Sequence, residues 1–224
     1  MSNSVTRRRA GRPQQQILSR ERIIEAAFAV ADQRKGDFSV SSIARALGVQ
    51  APAIYNYFAN KIDIIAGMRG VITQRVDTGH FERLPWYEAM IPWATNYLEA
   101  MVQHPGIIAT LATIPVDSEP ESITEYDTIV RSFTADDYPQ ELIVPALVAV
   151  ESFIIGSALD ALTPEDNLSP DKHPEIAPGL LQAEGIARQA AGAAGVTMSR
   201  HIFQIGLRAL VTGLRELPTQ TPTP

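Results

Sequence analysis

Residues 39–61 read SVSSIARALGVQAPAIYNYFANK, and this stretch decides the fold. Ser39 or Ser41 is placed to start a short helix that turns Ile43, Ala44 and Leu47 inward. Gly48 stops that helix, because glycine tolerates the left-handed backbone that a helix end requires. Val49 and Gln50 complete a tight turn, and Pro52 falls in the first turn of a second short helix reaching about Phe58. Two short helices joined through a glycine turn form a helix-turn-helix, whose second helix suits the major groove of DNA. Ile43, Ala44, Leu47, Val49, Ile54 and Phe58 make the small core, leaving Gln50, Ala51, Ala53, Tyr55, Asn56 and Tyr57 to face outward.

The flanking sequence completes a small domain. Ser19 caps a helix whose apolar face is Ile23, Ile24, Ala27, Phe28 and Ala31, ending near Gly36. Asn60 caps the next helix, expected to run to about Thr78. Charge is distributed to match. The 224-residue chain has a formal net charge of −6, yet residues 1–61 hold 10 Lys and Arg against 4 Asp and Glu, a balance of +6. Residues 62–224 hold 9 against 21, a balance of −12. A basic quarter joined to an acidic body points to an anionic partner for the first part only.

Beyond Leu84 the apolar periodicity stays helical, with longer segments at roughly 86–103, 106–113, 120–135, 140–162, 179–194 and 198–216. Residues 163–178, rich in proline and charge, read as a loop. The expected fold class is all-α. A flexible basic arm (1–18) precedes a three-helix helix-turn-helix DNA-binding domain (19–66), a larger helical ligand-binding and dimerisation domain (67–217) and a disordered tail (218–224). The absence of cysteine excludes disulfides and thiol chemistry. The N-terminal stretch lacks the apolar run of a secretory signal, and the apolar segment Leu142–Leu162 is interrupted by Pro145, Glu151, Ser152, Gly156 and Ser157. A soluble cytoplasmic protein, nucleoid-associated and without a membrane partner, is the expectation.

The string Ile43-Ala44, Leu47-Gly48-Val49, Ile54-Tyr55, Tyr57-Phe58 and Asn60-Lys61 resembles the N-terminal domain of the TetR family of bacterial transcriptional regulators, over about residues 19–66. That resemblance implies phosphate contacts from Tyr55 and Lys61. The anion preference of helix starts adds Ser41 or Ser42. Base reading falls to Gln50, Ala53, Asn56 and Tyr57, with Asn56 able to pair bidentately with adenine. Two departures stand out. Gln50 occupies the position where the family usually has a capping Ser or Thr, and Ala51-Pro52-Ala53 offers small side chains suited to thymine methyls. In the arm, Arg7, Arg8 and Arg9 precede the Gly-Arg-Pro centre that holds Arg12, an arrangement resembling minor-groove hooks of DNA-binding proteins.

For the body, the resemblance implies a small-molecule pocket and a twofold partner whose last long helices complete a four-helix bundle. Aromatic and methionine residues concentrate at Trp86, Met90, Trp93, Tyr97, Met101, Tyr126, Phe133 and Phe153, with His104 as a polar member, and these are the candidate ligand-binding residues. The dimer candidates are Leu147, Glu151 and Ile154 on one helix and Ile202, Ile205, Gly206, Ala209 and Gly213 on the last. No catalytic, metal or cofactor motif is present in the sequence, and the four histidines are too scattered to form a metal site. The expected function is a homodimeric repressor released from a palindromic double-stranded DNA operator by a small hydrophobic or aromatic effector. The alternative keeps the DNA contact and makes the body a protein-interaction module without an effector.

Overall fold

The computed structural model describes residues 18–34, 36–111, 120–164 and 168–220. Among these residues all regular structure is helical: α1 (Arg20–Gln33), α2 (Val40–Leu47), α3 (Ala51–Tyr55), α4 (Lys61–Thr73), α5 (Trp86–Val102), α6 (Ile108–Leu111), α7 (Pro120–Ala135), α8 (Gln140–Asp160), α9 (Pro178–Ala193) and α10 (Met198–Gln220). Short 3-10 turns lie at Gly79–Glu82 and Pro105–Ile107.

Local chemistry sets the ends of the first helices. The Ser19 hydroxyl accepts from the Arg22 amide at the start of α1. At α2, Ser39 and Ser42 cap each other reciprocally, with N–H to Oγ distances of 2.9 and 3.1 Å. Gly48 ends α2 at φ +68°; its amide donates to the Arg45 carbonyl (3.2 Å) and the Val49 amide to that of Ala44 (2.9 Å). At α4 the Asp63 amide donates to Asn60 while the Asp63 carboxylate accepts from the Ala59 amide, each at 3.0 Å.

Helices α1 to α3 pack around Ile23, Ala27, Ile43, Ile54 and Phe58, all buried, and α4 closes this core through Ile64 and Met68. The same α4 packs against α5, α6 and α7, so it is shared by the small N-terminal core and the body. It is shorter than expected from the sequence, ending at Thr73 rather than near Thr78. A second, noncovalent strut joins the two halves. The turn at Pro105–Ile107 sits on the C-terminal end of α1, where the Gly106 amide donates to Asp32 (3.1 Å). A Cβ at Gly106 would stand 2.6 Å from the Ala31 carbonyl carbon and 2.8 Å from the Asp32 nitrogen, so only glycine permits this approach.

In the body α8 lies centrally against α5, α6, α7 and α10. It is long and apolar enough to cross a membrane by length and composition, contrary to the sequence reading, and its Ile143, Ala146, Leu147, Val150, Ile154 and Ala158 are buried in the bundle. The C-terminal helix α10 continues to Gln220, past the expected start of the tail at residue 218.

Candidate nucleic-acid interface and effector cleft

The outer surface of the helix-turn-helix is polar and open. Gln50 occupies the first cap position of α3 without using its side chain as a cap, and is exposed together with Asn56. Tyr55, on the outer face of α3, is 51% exposed. Lys61 is exposed, its ammonium 4.4 Å from the Phe38 ring centroid, and Ser41 is exposed on α2.

Other predicted DNA contacts sit differently. Ser42 is 7% exposed and its hydroxyl is committed to the α2 cap, which removes it from a phosphate-binding surface. Tyr57 is half-buried rather than outward; its hydroxyl donates to the Leu18 carbonyl oxygen at 2.7 Å. Ala51 and Ala53 are also half-buried, Ala51 against the domain core. Arg7, Arg8, Arg9 and Arg12 lie outside the described residues. Sequence reasoning missed Arg20, whose guanidinium stacks on Phe58 at 4.1 Å and donates to the Tyr57 carbonyl, bracing the end of the recognition helix.

The aromatic residues of the body divide into core and cleft. Trp86 stacks on Phe133 at 4.2 Å and meets Tyr138 edge-on at 5.1 Å, with its own amide donating to Asp136 (2.7 Å). Met90 and Met101 are fully buried. Phe153 stacks on Phe203 of α10. His104 sits in the joint between the two halves, stacked on Phe28 at 3.9 Å and 3.4 Å from the Asp32 carboxylate. Of the ligand candidates, Trp93, Tyr97 and Tyr126 line a common cleft, with Thr73 at the α4 end, Val76 just beyond it and Glu125 and Ile129 of α7. The cleft holds about 10 Å³, room for roughly one water.

Behind it lies a buried polar cluster. The Tyr126 hydroxyl donates to Glu151, and Arg69 of α4, itself buried, donates to the Leu111 carbonyl. Burial pushes the Tyr97 hydroxyl up to about 12, aided by the nearby Glu151 charge, and raises Tyr126 further for the same reasons. Burial also raises the Glu151 carboxyl, opposed by the Tyr126 hydrogen bond and the Arg69 charge. Glu151, a dimer candidate from the sequence, is half-buried and engaged with Tyr126 of its own chain. Leu147 and Ile154, the other dimer candidates on α8, are buried among intrachain helices as well. Gly206 is covered too, since a Cβ there would meet the Phe153 ring at 2.6 Å. The exposed apolar face instead combines Val144 (61% exposed), Val148 and Leu159 of α8 with Ile202 and Ile205 (58%) of α10, while Ala209 and Gly213 are open on the same side of α10. Among the described residues no group of three or more His, Asp or Glu is arranged to hold a metal ion.

An exposed recognition helix on a small helical domain, continuous through α4 with a helical body, defines a helix-turn-helix DNA-binding class. Residues 23–68 match the family model described as bacterial regulatory proteins, tetR family. Over most of its length the chain is similar in fold to solved TetR family proteins. A possible TetR family transcriptional regulator from Streptomyces coelicolor is 23% identical, with 89% of this chain and 100% of that one covered at a TM-score of 0.72. The TetR family protein ActR of the same organism, solved with actinorhodin, is 17% identical, covering 89% and 97% at 0.68. BioQ, solved with its natural double-stranded DNA operator, is 21% identical, covering 88% and 98% at 0.60. No curated protein matches the sequence.

Proposed function

We propose that the chain is a homodimeric, ligand-responsive transcriptional repressor, acting in the cytoplasm on a palindromic operator and released from it by a small effector bound in the body. The observation that carries this reading is the sharing of α4: one helix contributes Ile64 and Met68 to the DNA-binding core and Thr73 to the effector cleft. Gln50, Asn56 and Tyr55 would read or grip DNA, with Lys61 and Ser41 at the backbone. The exposed stripe of Val144, Val148, Ile202 and Ile205 supports a twofold partner, since a lone helix-turn-helix offers too little contact for a specific site. A ligand-bound neighbour, ActR with actinorhodin, and an operator-bound one, BioQ, support both halves of the mechanism. Releasing an operator a hundredfold needs about 2.7 kcal/mol of difference between two states.

The test is selection of bound duplexes from a random pool at near-physiological salt. A palindrome with half-sites about one helical turn apart is expected; enrichment of no sequence would overturn the reading. If the body were instead a protein-interaction module, no small molecule would raise the melting temperature.

A further inference from the structure

Among the described residues Arg69 of α4 is the only charged residue buried in the fold, at 8% exposure. A guanidinium keeps its proton inside a protein and has five N–H donors to place. Arg69 gives one to the Leu111 carbonyl, and among the described residues it makes no ion pair. Glu151, the carboxylate whose charge it feels, accepts from the Tyr126 hydroxyl instead. A buried charge without a counterion weighs against the fold that holds it. The other Arg69 nitrogens have no partner among the described residues, yet they are not fully enclosed, so a ligand group can reach them.

Resting on the ligand-responsive reading above, we propose that the body takes an organic carboxylate with an apolar arm, its two oxygens paired with the Arg69 guanidinium. Arg69 lies one turn before Thr73 on α4, so the two share a side of that helix. Its charge bears on the hydroxyls of Tyr97 and Tyr126, which line the cleft beside Thr73. The planar fork of a guanidinium matches the two oxygens of a carboxylate. The Tyr97 hydroxyl, kept protonated by burial, adds a donor, and the apolar arm lies along Trp93, Val76 and Ile129. Glu125 on the cleft wall is already partnered. The burial that raises the Glu151 carboxyl lets it take a proton rather than oppose a second carboxylate. A cationic ligand would face the guanidinium, and a neutral hydrophobe would leave the buried charge as it is.

The ligand acts on α4 at two points. With room for about one water, the cleft admits the apolar arm only by parting the α4 end from α7. The Thr73 and Ser122 hydroxyls, both buried and 3.4 Å apart, join those two helices and separate when it opens. At Arg69 the incoming carboxylate competes with the Leu111 carbonyl, through which α4 is held to α6. The neighbouring Met68 is fully buried in the DNA-binding core, so a shift of Arg69 is felt there.

The experiment compares 4-phenylbutyrate with 4-phenylbutyramide, its uncharged near-isostere, on the full chain. Binding is read by calorimetry and melting temperature, and release of the selected operator is read separately. The carboxylate is expected to bind at least about tenfold tighter than the amide, and Arg69→Met is expected to abolish that preference. Arg69→Lys keeps the charge without the planar fork, so its preference should fall between the two, and it serves if Arg69→Met melts early. Equal affinity for the two probes, binding of neither, or a preference that survives Arg69→Met overturns the carboxylate site. A carboxylate that binds with the expected preference but leaves operator affinity unchanged upholds the site and sinks the regulatory reading. Release of the operator by both probes alike does the opposite.

Discussion

The hydroxyl of Tyr57 donates to the carbonyl oxygen of Leu18 at 2.7 Å, tying the end of the recognition helix to the residue that leads into α1. The bond joins positions far apart in sequence and holds the point from which the basic segment 1–17 departs. Tyr57→Phe keeps the half-buried ring and removes only this bond. It should cost about 1 kcal/mol, the net worth of an intramolecular hydrogen bond. In a chain of this size that is roughly 2–4 °C of melting temperature. Operator affinity should fall with it. An unchanged melting curve would show that the bond contributes nothing.

Lys61 and Asn56 separate two kinds of DNA contact. Lys61→Ala should weaken binding to all duplexes alike and lower the salt slope of log K by about one. Tyr55→Ala should weaken binding uniformly too. Asn56→Ala should relax preference at one base position, by about 1–3 kcal/mol. Fluorescence anisotropy across a salt series and a set of single-base operator variants checks all three. A Lys61→Ala slope equal to the parent's would remove lysine from the phosphate contacts.

Gly106 is the tightest point of the strut between the halves. A side chain there meets the backbone of Ala31 and Asp32, which has no rotamer with which to move aside. Gly106→Ala should destabilise the chain by about 1–3 kcal/mol. It should also loosen the coupling between body and DNA-binding domain, so that operator affinity responds less to an effector. Thermal melting and effector titration measure the two effects, and a variant as stable as the parent would show that the strut yields freely.

How far the sequence revealed this molecule depended on the range of the interaction. The caps at Ser19, Ser39, Asn60 and Gly48 are settled within four residues, so most helix positions could be read directly. The surface residues Gln50, Tyr55 and Asn56 followed from the periodicity of a short amphipathic helix. Tyr57 did not, because its partner is Leu18 and no local pattern announces it. Ser42 has the chemistry of a phosphate ligand and spends it on a capping box, which a second serine at the N3 position signals only when Ser39 is chosen as the cap. On α8, apolar residues occur on nearly every side, so composition could not tell the inward Leu147 and Ile154 from the outward Val144 and Val148. The pairing of Glu151 with Tyr126 needs the packing of α7 on α8 and is invisible in either segment alone.

Glu151 gives the body a pH dependence of definite sign. Burial raises its folded-state value above that of the unfolded chain, with Tyr126, Tyr97, Arg69 and Glu125 as the titratable and charged groups around it. The folded chain thus retains a proton that the unfolded chain has released. That contribution is complete below the ordinary glutamate range near 4.3 and is lost as pH rises through the raised value. Glu151→Gln cannot ionise and keeps an acceptor for the Tyr126 hydroxyl. It should melt higher than the parent at neutral pH, and the difference should vanish toward low pH. A glutamine variant that melts lower at neutral pH would reverse this account.

The α8 and α10 side chains offer a paired test of assembly. Val148 and Ile205 are exposed, on the outer faces of adjacent helices, whereas Leu147 is 6% exposed and packed within the chain. A charge on the outer face leaves the monomer's core intact and places an unpaired carboxylate in any twofold interface, which costs several kcal/mol. Val148→Asp and Ile205→Asp should therefore convert a dimer to monomer in sedimentation velocity, with melting of the monomer cooperative and operator affinity much reduced. Leu147→Ala should do the opposite. It opens a cavity inside the bundle, destabilises the fold by about 2–5 kcal/mol, and leaves the oligomeric state of the folded fraction unchanged. Dimers that survive both aspartates would place the partner surface elsewhere on the chain.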